Sequence, residues 1–388
     1  MVDTIVLVLS KNMFAITKPD MFEPSARYLL NEDISFGSRA YLPVKQNPTK
    51  KELLEGNYKP RLTLTKRYNN TTGNREITLK IELSLPKLLF GNNFEELQLT
   101  DFTNIVQILK SKLKDMGIMV WDKYLLEASI SAIHYSKNII LTDGTTPHYL
   151  ISKIKEANVN LSLDINQTDY QNGGYSYKWH CNSYEIAFYD KKKDLEDSKV
   201  SEKGSMERDN SIQFNLFNRA KIEKPFEVLR IEIRLNTRRK IRQLFQILGI
   251  QSDLTFKDLF SSQISQKVLL HYLNEVEKNR SPLLDYKLSK SLLSDILFNN
   301  PDLGIQGVLN ICGLKYVVDN YNPRELRAYF AKFSQRSWYR LVAKSKKLIL
   351  PQSQSPFMLV RKCLEEFKPL KLDDISVNML NNDKYEDD

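Results

Sequence analysis

Three ionisable residues stand in the middle of segments that alternate apolar and polar side chains: Glu82 in LKIELSL, His134 in ISAIHYS and Glu232 in LRIEIRL. On a strand, such a group either points to solvent or converges with others on one face of the sheet. Together on one sheet, two carboxylates and an imidazole would make a hard, oxygen-rich site suited to Mg²⁺ or Mn²⁺. Arg230 and Arg234 flank Glu232 at i ± 2, so alternation puts all three on one face. Arg–Glu–Arg is either a structural ion-pair ladder or a grip on a phosphate beside a metal-binding carboxylate. Tyr189 closes the run YEIAFY, just before Lys191, Lys192 and Lys193. Nearby positive charge favours a phenolate, which makes this tyrosine a nucleophile candidate. The competing reading is an aromatic strand residue beside a solvated charge run, and the chain has 19 tyrosines.

The four histidines, His134, His148, His180 and His271, form no HxH or HExxH pair. The three cysteines, Cys181, Cys312 and Cys363, are too scattered for a disulfide framework or zinc ribbon and fit a reducing compartment. No GxxxxGK[ST] loop is present.

These candidates need strands to hold them, and the first 240 residues supply the pattern. Residues 3–9, 61–67, 76–85, 125–135, 159–165, 174–179, 184–189 and 226–235 read as strands. The cluster NNTTG at 69–73 reads as the turn of a hairpin, and Pro86 ends its second strand. Helices are predicted over 100–116, capped by Asp101, and over 147–157. Residues 193–210 read as a mobile surface loop. Residues 238–248 read as a basic amphipathic helix carrying Arg238, Arg239, Lys240 and Arg242, a solvated face or a phosphate-contact face. Beyond residue 250 the pattern turns helical, over 268–276, 288–297, 306–318, 323–333 and 336–347. The expectation is an α+β protein: a mainly antiparallel sheet with flanking helices (1–250), a mainly helical C-terminal domain (251–370) and an acidic tail (371–388).

The chain has 388 residues, with 57 Lys and Arg against 47 Asp and Glu, a formal net charge of +10. The tail carries six acids and two lysines, so the body before it stands at +14. A basic body suggests a polyanionic partner such as nucleic acid. No apolar run reaches membrane-spanning length, and the opening MVDTIVLVLS lacks the positive charge of a signal peptide. The expected setting is cytoplasmic, with no membrane partner.

The order of these segments resembles the replication initiation proteins of filamentous phages, the gene II/X family, and their plasmid relatives. MVDTIVLVLS is similar to the family's first strand, with its acidic third residue. KIELSLPKLLFGNN, ISAIHYSKNI, YEIAFYDKKKDLE and LRIEIRLNTRRK resemble later family segments, including the Tyr-x-Lys of the nicking tyrosine and an Arg-x-Glu-x-Arg strand. The likeness runs to about residue 245, and only RSWYR at 336–340 resembles the family's C-terminal region. The resemblance implies a rolling-circle initiator in a bacterial cell, acting on duplex and single-stranded origin DNA with a host helicase and DNA polymerase. It implies that Tyr189 is the nucleophile, with Lys191 its charged neighbour and Arg230 and Arg234 gripping phosphate. It makes Glu82 and Glu232 ligand candidates for Mg²⁺ or Mn²⁺. His134 stands where the phage proteins have Asp, which leaves it either a ligand or a proton acceptor for Tyr189. Lys192, Lys193, Arg238, Arg239, Lys240 and Arg242 extend the basic surface for DNA. Rival readings are a mobilisation relaxase with the same chemistry and a non-catalytic origin-binding protein.

Overall fold

The computed structural model describes residues 1–30, 43–49, 52, 57–68, 75–157, 174–197, 227–321, 323–351 and 355–371. The strands are β1 (Val2–Ser10), β2 (Phe14–Ile16), β3 (Val44–Gln46), β4 (Arg61–Tyr68), β5 (Arg75–Ser84), β6 (Ile118–Val120), β7 (Ser129–Leu141), β8 (Ser176–Cys181), β9 (Tyr184–Asp190) and β10 (Glu227–Leu235). Eight of them form one sheet in the order β3-β4-β5-β1-β7-β10-β9-β8, with every neighbouring pair antiparallel. β2 and β6 pair separately. The helices beyond single short turns are α1 (Leu85–Phe90), α2 (Phe102–Asp115), α3 (Pro147–Lys155), α4 (Lys191–Asp197), α5 (Arg238–Ile247), α6 (Ser262–Asn279), α7 (Lys290–Asn299), α8 (Gly304–Asn320), α9 (Pro323–Lys346) and α10 (Met358–Glu366). The protein is α+β, as its alternation predicts.

Strand register sorts the side chains into two faces. Ile5, Leu7 and Leu9 pair with Leu83, Ile81 and Leu79, and all six are buried. Ile133 and Tyr135 on β7 lie opposite Leu235 and Ile233 on β10, and Ile231 lies opposite Phe188 on β9, extending the same apolar face. Burying each such side chain contributes about 1.5–3 kcal/mol. Helices α5, α6 and α10 contact β7. The opposite face is polar around β7, β9 and β10, and it carries most of the candidate residues.

Several elements depart from the sequence expectation. Asp122–Leu126 is a helical turn, and the strand expected over 125–135 runs instead from Ser129 to Leu141. Its second half is disguised by three successive polar residues, Ser136, Lys137 and Asn138, all buried. Partners make that burial tolerable: Glu96 accepts from the Asn138 backbone N–H (2.6 Å) and pairs with Lys137, which also donates to the Lys368 carbonyl (2.6 Å). The first residues of the loop expected at 193–210 belong to helix α4, where Asp190 Oδ1 accepts from the backbone N–H groups of Lys192 (2.9 Å) and Lys193 (3.1 Å). The rest of that loop, the strand expected at 159–165 and the turn at 69–73 lie outside the described residues. Asp101 does precede α2, but its carboxylate accepts from the Gln98 backbone N–H (2.7 Å) and caps the preceding turn. The helices expected at 323–333 and 336–347 are both present, parted within α9 by the non-helical backbone of Ser334 (φ −160°, ψ 88°).

Past residue 250 the chain still adds to the sheet's core. Val268, Leu269, Val276, Phe357, Val360 and Leu364 share the sheet's buried cluster, so α6 and α10 pack with the first unit. Between them, α7, α8 and α9 build smaller clusters around Leu292, Ile296 and Ile311 and around Leu314, Trp338 and Val342. Arg280 joins the regions, donating to Glu156 Oε2 (2.6 Å) and to Asp285 Oδ2 (2.7 Å).

Candidate functional site on the polar face of the sheet

Register brings the candidates together. On β7, His134, Ser136 and Asn138 lie opposite Arg234, Glu232 and Arg230 of β10. On β9, Glu185, Ala187 and Tyr189 lie opposite the same three β10 residues. Ala187 is small, which leaves room for Tyr189 to lean toward the centre. Its hydroxyl donates to Glu232 Oε2 at 2.8 Å. Arg234 Nε donates to Glu232 Oε1 at 2.8 Å, and its Nη1 lies 3.1 Å from Glu185 Oε1. His134 Nδ1 lies 3.6 Å from Glu232 Oε1, a close charge contact longer than a hydrogen bond.

Arg230 is the deepest of the group, at 1% exposure, against 3% for Glu232 and 7% for Tyr189. Its Nη1 donates to the Asn93 carbonyl (2.8 Å) and to Asn138 Oδ1 (3.1 Å). Its Nη2 lies 3.2 Å from Asp3 Oδ1 and its Nε 3.7 Å from Glu232 Oε2. Those contacts are electrostatic only: neither Nε nor Nη2 has an aligned hydrogen-bond acceptor among the described residues. A buried guanidinium with unused N–H donors is suited to an oxyanion.

The protonation states are pushed apart. Burial drives the Tyr189 phenol well above its ordinary 10, so it rests neutral. Burial also acts to raise Glu232, but Arg234, His134 and Arg230 overrule it and hold the carboxyl well below its ordinary 4.5. The pair is therefore a neutral phenol hydrogen-bonded to an ionised carboxylate, so the phenolate expected from the nearby positive charge is not the resting state: burial outweighs that charge. Burial lowers the Lys191 ammonium from 10.5 to about 8. Lys191 opens α4, 5.9 Å from the centre of the Tyr189 ring and 3.5 Å from Asp194 Oδ2.

Glu82 is not part of this constellation. It is exposed on the polar face of β5, opposite Val6 and Arg61. Three strand spacings separate β5 from β10, about 14 Å across the sheet. A shared face does not bring residues into contact across intervening strands. The basic candidates divide by exposure: Lys192, Arg239 and Arg242 are exposed, Lys193 and Arg238 half-buried. Lys240 Nζ sits 3.9 Å from the centre of the Tyr184 ring. The cluster also uses residues the motif reading did not assign: Glu185, Asn138 and Asn93. Glu185 was findable, four positions before Tyr189 and so on the same strand face. Asn93 contributes a backbone carbonyl, which no side-chain pattern announces.

Among the described residues, no group of three His, Cys, Asp or Glu side chains comes together as a metal cage. His134 and Glu232 are the two facing donors. Both Glu232 oxygens already accept hydrogen bonds. Comparisons with protein-family models, curated proteins and solved structures return no match. Among the described residues, no helix is long and apolar enough to cross a membrane.

Proposed function

We propose that this chain cuts and rejoins one strand of DNA at an origin, starting rolling-circle replication, with Tyr189 as nucleophile. The observation that carries the reading is the 2.8 Å hydrogen bond from the Tyr189 hydroxyl to the ionised Glu232 carboxylate, between two arginines on one sheet face. The phenol oxygen attacks the scissile phosphorus and its proton passes to Glu232. The P–O3′ bond breaks, the leaving 3′ oxygen takes a proton from solvent water, and the products are a 5′-phosphotyrosine and a free 3′-hydroxyl that primes synthesis. In the reverse step a 3′-hydroxyl attacks the phosphotyrosine, so resealing needs no ATP. The scissile phosphate takes the place of Glu232 as the partner of Arg234, and the open Nε and Nη2 of Arg230 face the non-bridging oxygens. Lys191 adds positive charge beside the ring. A divalent cation, held by His134 and Glu232, would supply Lewis-acid stabilisation.

The burial of Tyr189 favours one rival: a non-catalytic origin-binding protein in which the Tyr189–Glu232 hydrogen bond is structural. Supercoiled origin DNA incubated with Mn²⁺ separates the two. Wild type should relax it and carry a covalent 5′-phosphate adduct, and Tyr189→Phe should do neither. Supercoiled DNA left intact by wild type, or nicked equally by Tyr189→Phe, defeats the nickase reading.

A further inference from the structure

Helix α5 follows the Glu232 strand after two residues, Asn236 and Thr237. Thr237 caps it, its hydroxyl accepting from the Lys240 backbone N–H at 3.2 Å. Ile241, Leu244 and Phe245 are buried in the core at i, i+3 and i+4. The opposite stripe, Arg239, Arg242, Gln243 and Gln246, is exposed at i, i+3, i+4 and i+7. Ile247 stands at its end, 67% exposed. The helix contains no acidic residue, and Arg239 and Arg242 pair with no carboxylate among the described residues.

We infer that α5 is the helix that reads base edges of the duplex, with this stripe in the major groove. The inference rests on the reading of this chain as one that acts on origin DNA. Arginine fits guanine O6 and N7, glutamine fits adenine N6 and N7, and an exposed isoleucine fits a thymine methyl. A ten-residue helix is about 15 Å long and enters a groove about 12 Å wide. A lysine-rich solvated face would carry charge without this hydrogen-bonding code. A membrane surface does not fit, because the apolar side of α5 is committed to the core. Duplex RNA does not fit either, since its major groove is too narrow for a helix. α5 packs against the apolar face of the sheet while Glu232 stands on the polar face, so the bases read by α5 lie on the far side of β10 from the reacting phosphate.

The test uses the full chain in EDTA, so that binding is measured without cleavage. The probe is a pool of DNA duplexes with twelve randomised base pairs. Wild type should enrich a motif. Gln243→Ala with Gln246→Ala should relax the preference at one or two positions, roughly ten- to a hundredfold each. Arg239→Ala with Arg242→Ala should weaken binding and relax the guanine preference roughly ten- to a hundredfold at each position. Arg239→Lys with Arg242→Lys should retain part of the binding and blunt the same guanine preference. A motif and affinity unchanged in all three variants overturn the assignment of α5 alone. Equal binding of an RNA duplex of the enriched sequence also overturns it. Failure of wild type to bind any duplex overturns the origin-DNA reading with it.

Discussion

Lys191 allows the sharpest test, because its place beside Tyr189 comes at a calculable loss of stability. The side chain is 1% exposed, and its close counter-charge among the described residues, Asp194, is 3.5 Å away and half in solvent. Burial, with Arg230 and Lys87 acting in the same direction, lowers its pKa from 10.5 to about 8. At about 1.4 kcal/mol per pH unit, that gap amounts to roughly 3 kcal/mol against the folded state wherever both states carry the proton. The penalty is therefore complete below pH 8. Between about 8 and 10.5 the folded chain has released the proton while the unfolded chain still binds it, so stability rises with pH. Lys191→Met keeps the length of the side chain and removes the charge, and Asp194 stays solvated without it. Urea unfolding at pH 7 should find the variant more stable by up to about 3 kcal/mol. At pH 10 most of that difference should have gone, and titrations common to both chains cancel in the comparison. The same variant should lose DNA nicking. A variant less stable than wild type at pH 7, or a difference unchanged at pH 10, refutes the reasoning.

Glu232→Gln leaves two guanidiniums on the polar face without their shared counter-charge and should destabilise the chain by about 3–5 kcal/mol at pH 7. Because the folded carboxyl lies well below 4.5, its contribution is present above that value and fades as pH falls further, so thermal melts of the variant should be less acid-sensitive than wild type. Equal acid sensitivity would show that Glu232 is not ionised in the fold. Glu96→Ala removes the acceptor of the Asn138 and Leu370 backbone N–H groups and the partner of Lys137. It should free residues 367–371 from the sheet, read as faster amide exchange at Leu370, and exchange at the wild-type rate would contradict that anchoring. His134→Ala should raise the Mn²⁺ concentration needed for half-maximal nicking, and an unchanged requirement removes His134 from the proposed cation site.

Alternation made the sheet legible. LRIEIRL and YEIAFY predict β10 and β9, and period-2 geometry alone places Arg230, Glu232 and Arg234 on one side. Strand order was not legible, because pairing is a long-range property that composition does not encode. Glu82 shows the consequence: its face was predictable, and its distance from Glu232 was not. The second half of β7 was hidden for a different reason. Ser136, Lys137 and Asn138 are polar yet buried, and only partners distant in sequence explain why: Met1 for the Ser136 backbone, residues 94–96 and 368 for the other two. The reach of the sheet core past residue 250 was hidden because α6 has the period of any amphipathic helix. Nothing local says which surface it covers.

The buried arginines give this site a logic that separates it from a simple ion-pair ladder. In a ladder each guanidinium would be matched by aligned carboxylate oxygens, yet among the described residues Arg230 Nε and Nη2 find no aligned acceptor at 1% exposure. Leaving buried donors unpaired is destabilising by about 1–3 kcal/mol, which a structural role alone does not require. An arriving phosphate reverses that penalty and competes with Glu232 for Arg234. As those arginine contacts pass to the phosphate, Glu232 loses the charges that hold its pKa down and becomes a stronger base. On the proposed chemistry, substrate binding and activation of Tyr189 are one event: the contacts that seat the phosphate also prepare the carboxylate to take the phenol proton. Tyr189 rests neutral and buried, which on that proposal keeps it inert away from DNA.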